Sequence, residues 1–190
     1  MKIICLCGKI GVGKDFLAEK LKLYLSNTFI MNISDIAKYE IYNEIIIDID
    51  KLYDNKTSET RLILQQYCDK KKLNNETYFI DKFKFFIELF NIRKYDYFII
   101  ADGRFPYEIK TLKKYYSDCL IVHIIAPSRN HLKLLKNSNN NNDIYNLIKN
   151  HNSETSLDTF SDFDFVFNND INDDFNINFL NLLKKLILKN

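Results

Sequence analysis

The run Gly8-Lys9-Ile10-Gly11-Val12-Gly13-Lys14-Asp15 constrains this chain more than any other feature, and it holds three of the 4 glycines in the whole sequence. It follows Ile3-Ile4-Cys5-Leu6-Cys7, a short apolar run that reads as a buried parallel strand. It precedes Leu17, Ala18, Leu21 and Leu25, apolar positions at helical spacing over Phe16–Leu25. A glycine-rich turn between strand and helix can fold tightly enough to aim successive backbone N–H groups inward. The helix that follows adds the positive end of its dipole. Such a turn is a cradle for a polyanion, and Lys14 is placed to reach into it.

The residues from Gly8 to Lys14 fit GxxxxGK, the first seven positions of the P-loop pattern. Gly8, Lys9, Gly11, Gly13, Lys14 and Asp15 are therefore expected to bind ATP, with Lys14 on the β- and γ-phosphates. The position after this lysine is normally a hydroxyl residue that ligates Mg²⁺. Asp15 stands there instead. It can touch Mg²⁺ directly or through water, or it can simply favour the helix N-terminus as an anion.

Further strands are expected at Thr28–Ile33, Tyr97–Ala101, Cys119–Ala126 and Asp164–Phe167. Helices are expected near Asp35–Ile47, Ser58–Lys72, Thr77–Phe90, Pro106–Tyr116 and Phe175–Leu188. The alternation predicts one α/β domain over 1–190, a P-loop NTPase with a mostly parallel sheet flanked by helices. The helical stretch 35–94 is too long for a plain crossover and reads as a substrate-binding insertion. The segment 128–150 reads as a short lid, with the asparagine-rich run Asn137–Asp143 as a surface loop.

Asp102 follows the strand Tyr97–Ala101 and should sit at the carboxyl edge of the sheet, where open α/β sheets bind ligands. There it can hold Mg²⁺ through water or take a proton from the acceptor. Arg104 follows two residues on, and its guanidinium suits a bidentate grip on phosphate. Lys14, Asp102 and Arg104 are the expected catalytic set, with Asp15 and Asp102 as metal candidates. Arg61, Gln65 and Lys72 on the helix Ser58–Lys72, together with Arg104, are expected to hold the acceptor. Arg129, just after Ala126-Pro127-Ser128, is a candidate lid arginine for adenine or phosphate.

These segments together resemble the viral-type deoxynucleoside monophosphate kinases, a branch of the P-loop kinases. The matching stretches are GKIGVGKD, TRLILQQYCDKKK, IIADGRFPYEI and HNSETSLDTFSDFDFVFNND. Phe16 stands where that family has a hydroxyl residue. The resemblance implies use of ATP and Mg²⁺ and an acceptor seated in the helical insertion. The chain also resembles the animal-type phosphomevalonate kinases through GKDF and SETSLDTFSDFDF. That resemblance ranks second, because Ile10, Gly11 and Val12 replace extra basic residues and Phe105 replaces a second arginine. A (deoxy)nucleoside monophosphate is thus the expected acceptor and phosphomevalonate the alternative. A nucleotide-binding module without catalysis is the rival of another class.

Charge bears on partners. The 27 basic and 25 acidic side chains nearly cancel, which argues against a duplex nucleic-acid footprint. The first apolar run is too short for a leader peptide, and no stretch approaches the ~18 apolar residues of a membrane span. Cys5, Cys7, Cys68 and Cys119 carry no metal-ligand spacing and are expected to be reduced and mostly buried. A cytoplasmic protein is expected. A homodimer is open, since no interface is legible.

Overall fold

In the computed structural model, residues 1–45, 47–53, 57–138 and 141–188 are described. The chain begins with β1 (Lys2–Cys7), α1 (Lys14–Tyr24) and β2 (Thr28–Met31). A helical block follows: α2 (Ser34–Glu44), α3 (Ile49–Tyr53), α4 (Ser58–Lys72) and α5 (Tyr78–Ile92). Next come β3 (Tyr97–Gly103), α6 (Pro106–Tyr115) and β4 (Leu120–Ile125). The remainder is α7 (Pro127–Ser138), α8 (Asn142–Lys149), α9 (Asn152–Thr155), β5 (Phe165–Asn168) and α10 (Phe175–Leu188).

The five described strands form one sheet in the order β2-β3-β1-β4-β5, and every neighbouring pair is parallel. The expected architecture is therefore the observed one. β1 lies at the centre, so both its faces are covered and it is apolar from Ile3 to Cys7. Ile3, Cys5 and Cys7 point to the side covered by α5 and α6, where Phe83, Ile87, Ile109 and Leu112 pack. Ile4 and Leu6 point to the other side, against Leu17 and Leu21 of α1 and Leu182 and Leu186 of α10. Each such side chain contributes roughly 1.5–3 kcal/mol by leaving water.

All four cysteines are free thiols, and Cys5, Cys7 and Cys119 are buried. Gly103 ends β3 directly against β1. A Cβ there would lie 2.6 Å from the Cys7 sulfur and 2.8 Å from that of Cys5, so only glycine lets the two strand ends approach.

Several elements depart from the sequence-based expectation. β2 ends at Met31 rather than Ile33, because Ile33 and Ser34 turn into α2. Pro127 opens α7 as well as closing β4, and 127–149 folds into α7 and α8. The expected surface loop Asn137–Asp143 is thus partly helical, with Asn139 and Asn140 outside the described residues. The expected helix Asp35–Ile47 ends at Glu44, with Ile46 also outside them. No helix among the described residues is long and apolar enough to cross a membrane.

Candidate active site

The loop between β1 and α1 is held both by Lys14 at its own end and by residues far from it in sequence. Lys14 is 6% exposed, and its Nζ donates to the carbonyls of Gly8 and Lys9, each at 2.8 Å. The Asn130 amide on α7 donates to the Ile10 carbonyl at 2.7 Å. The Asn169 amide, just past β5, donates to the Val12 carbonyl at 2.8 Å. Four of the loop's carbonyls are held in this way, and the first N–H groups of α1 have no partner within the helix. Gly8, Gly11 and Gly13 all take positive φ. At Gly11, φ is +78° and a Cβ would lie 2.4 Å from the Lys133 Cβ, so α7 sits directly against the loop.

Beside this loop lies a cleft of about 1070 Å³. From the loop side it is lined by Gly11, Gly13, Lys14 and Asp15. Arg61, Gln65 and Lys72 line it from α4, and Asp102 and Arg104 from the end of β3. Nine of the residues singled out from sequence thus converge on one cleft. Three do not. Gly8 is buried behind the loop. The Lys9 amine pairs with Asp158 at 2.7 Å. Arg129 is exposed on α7 and is not part of the cleft wall. Lys133 and Lys136, on the same helix, line the cleft in its place.

Asp102 is half-buried. One carboxylate oxygen accepts the Ile33 N–H at 2.7 Å and the other the Ser34 N–H at 2.9 Å. These are amides at the start of α2, so Asp102 pins the helical insertion to the sheet edge. Arg104 pairs through Nη1 with Glu154 at 2.6 Å. Glu154 is 6% exposed, and its second oxygen accepts the Ile10 N–H of the loop at 2.7 Å. On α4, Arg61 and Gln65 are one turn apart and face the cleft. Arg61 Nε and Gln65 Oε1 are buried without a hydrogen-bond partner among the described residues. Lys72 lays its amine 3.8 Å from the centre of the Phe105 ring. Phe16 packs on Phe175, with ring centres 5.3 Å apart, and borders the cleft.

The cleft is strongly cationic. Burial, then repulsion from Arg104, pushes the Lys14 amine down to about 7, against the pull of Glu154, Asp15 and Asp102. Burial, then Arg104, also lowers Arg61. Burial, then Arg61 and Lys136, lowers Lys133. Cations crowded so closely disfavour one another's charge, and a polyphosphate would relieve all of them together.

Glu108, 5% exposed, accepts the N–H groups of Arg104 and Phe105 at 2.9 and 3.1 Å, which closes the first turn of α6. Burial, then Asp102, raises its carboxyl to about 7. A raised acid binds its proton better in the folded state. Its contribution is therefore full below the unfolded carboxyl range and lost as pH climbs to 7. Glu108→Gln keeps an acceptor oxygen and removes the charge. The variant is expected to match the native chain below pH 4.5 and to exceed it by up to about 3 kcal/mol above pH 7. Denaturant unfolding across that range measures the gap.

Lys38 is a buried lysine that the sequence reading missed. It lines the cleft, pairs with Asp35 at 2.6 Å, and lies 4.1 Å from the centre of the Tyr53 ring. His151 borders the cleft and its Nε2 donates to the Asp69 carboxylate of α4 at 3.1 Å. No cluster of three His, Cys, Asp or Glu suited to a metal ion occurs among the described residues.

The family model for phosphomevalonate kinase matches residues 6–118. The chain belongs to the phosphomevalonate kinase family. The match runs from β1 through the glycine loop, α4 and Arg104, and stops short of α7 and Glu154. It covers GKDF but not SETSLDTFSDFDF, the other stretch on which the phosphomevalonate kinase resemblance rests. No curated protein matches the chain in sequence. Among solved structures, shikimate kinase from Bacteroides thetaiotaomicron aligns at TM-score 0.52 and 13% identity, over 97% of this chain and 98% of that one. That likeness is one of fold, the P-loop kinase fold. Shikimate kinase from Aquifex aeolicus aligns at TM-score 0.44, 13% identity, and 98% and 97% of the two chains. Deoxyadenosine kinase from M. mycoides aligns at 0.44, 12%, and 97% and 98%. Neither of these two is close enough to weigh. The phosphomevalonate kinase family and the P-loop kinase fold together make this chain a kinase.

Proposed function

We propose that this kinase moves the γ-phosphoryl group of ATP onto the phosphate of a small monophosphorylated acceptor, read first as a (deoxy)nucleoside monophosphate. One observation carries this reading: Lys14 on the loop side and Arg61, Arg104 and Lys72 on the acceptor side share a single cleft. Two phosphorylated groups can meet there. An oxygen of the acceptor phosphate forms the new bond to the γ-phosphorus, the bond to the β,γ-bridging oxygen breaks, and ADP leaves. A monophosphate is largely dianionic above pH ~6, so no general base is required. The chain's task is to align the two phosphates, exclude water and balance charge.

Lys14 and the loop amides would hold the β- and γ-phosphates. Arg104 would bridge the transferring group and the acceptor, with Lys133 and Lys136 closing from α7. Asp15 and Asp102 fit a magnesium ion as hard oxygen donors beside phosphates, in keeping with a metal usually bound by one or two carboxylates. The ion would neutralise charge developing on the phosphates. Since both Asp102 oxygens already accept amides, contact through water suits it better than direct ligation.

The unpartnered Gln65 Oε1 favours a nucleobase at the far end. A buried amide oxygen calls for a donor, and a base offers donors and acceptors in one plane. Tyr53, Phe79 and Phe105 in the wall supply rings on which a base can stack. The family match favours phosphomevalonate as the second reading.

A panel of deoxynucleoside monophosphates and phosphomevalonate, scored for ADP release with ATP and Mg²⁺, decides between them. Turnover with one or more nucleotides and none with phosphomevalonate is the expected result. Turnover with phosphomevalonate alone installs the second reading. No acceptor-dependent ADP release at all removes the kinase assignment of the cleft.

A further inference from the structure

The two halves of the cleft are joined by a segment that the phosphotransfer reading leaves without a role. It runs from His151 to Asp158 and includes α9. Glu154 sits at its centre, and the two oxygens of this buried carboxylate reach the donor loop at Ile10 N–H and the acceptor side at Arg104. At one end His151 meets Asp69, which lies on the same face of α4 as Arg61 and Gln65, one turn past Gln65. At the other end Asp158 pairs with Lys9 of the loop.

A carboxylate held at its second oxygen by a backbone amide anchors the guanidinium through one charge-assisted bond, from Nη1 to Oε1, and so limits where the side chain can point. Arg104 otherwise stands at the end of a strand with a long, rotatable side chain. It is half-buried, and like-charged Lys14 is close enough to lower its own pKa in response. Left alone, Arg104 would swing away from Lys14 and from the line of transfer.

We propose that Glu154 is a positioning residue: it aims Arg104 between the donor and acceptor phosphates and holds it in register with the glycine loop. This rests on the phosphotransfer reading of the same cleft. Its action is through Arg104, not on the reacting atoms. The segment then works as a strut.

The test compares Glu154→Gln, Arg104→Ala and the double variant. Glutamine keeps an oxygen for the Ile10 N–H and gives up the ion pair. Glu154→Gln is expected to lower kcat by roughly 10²-fold, the cost of a misplaced reacting geometry, with KM for ATP and the affinity for ADP little changed. In the Arg104→Ala background the same change should cost nothing further. Equal additional losses in both backgrounds, or parallel losses of ADP affinity and melting temperature, would make Glu154 a merely structural cap and overturn the proposal. So would native turnover in Glu154→Gln. Turnover of the native protein on the acceptor panel tests the phosphotransfer reading separately, so the two failures are distinguishable.

Discussion

Lys14→Ala should lower kcat for phosphoryl transfer by roughly 10³-fold, the scale lost when a preorganised cation or donor is removed from developing charge. The measurement is ADP formation at saturating ATP and acceptor. A loss below tenfold would remove Lys14 from the transferring phosphate. The same variant should behave differently in stability. Burial and Arg104 hold the native amine near 7, far below the ordinary lysine value of 10.5. The charged form is disfavoured in the folded chain, so the penalty is fully present below pH 7 and fades as pH rises towards 10.5. Its upper bound is about 5 kcal/mol, set against the hydrogen bonds to the Gly8 and Lys9 carbonyls that alanine forfeits. The stability of Lys14→Ala relative to the native chain should therefore be best near pH 6 and decline steadily to pH 10. Denaturant unfolding at both pH values reads this slope. A relative stability that improves with pH would reverse the sign of the argument.

Arg104→Ala should cost on both counts. Removing a guanidinium that stabilises a transferring phosphoryl group lowers kcat by about 10³-fold. The truncation also strands Glu154, whose carboxylate is 6% exposed and would keep only the Ile10 N–H. An uncompensated buried charge costs roughly 3 kcal/mol or more. Arg104→Ala/Glu154→Gln removes that charge and should regain much of the lost stability while remaining inactive. Melting temperatures of the three variants test this directly. If Arg104→Ala melts with the native chain, the ion pair is not holding the cleft together.

The central fold was legible because β1, β3 and β4 are mostly buried on both faces and so carry apolar runs, that of β4 broken only by His123. The donor loop was legible because glycines at fixed spacing have few other uses between a strand and a helix. The insertion helix α4 was placed at its observed bounds from Ser58 to Lys72. The lid was harder. Its asparagines gave 137–143 a loop-like composition, yet α7 and α8 bury Leu134 and Ile148 against Ile10 of the donor loop. Had Pro127 been taken as a helix start, Lys133 and Lys136 would have shared a face one turn apart, the signal that Arg129 alone did not carry. Asn130 left no trace, and Asn169 stood in a matching stretch without a role, since each works through a single side-chain amide on a distant carbonyl. Glu154 lay inside a quoted stretch, but its two partners are separated from it by 50 and 144 positions. No local pattern contains such a pairing.

The carbonyl restraints on the glycine loop have one more consequence. The motif occupies residues 8–14, but two of the four carbonyl restraints that shape it arrive with Asn130 and Asn169. During synthesis the loop emerges before Asn130 and Asn169, so these two restraints are absent until α7 and the residues past β5 have docked. A fragment ending before β5 would carry the complete signature and bind nucleotide poorly. Competence in this chain is acquired at the end of folding, when its far third closes on its beginning.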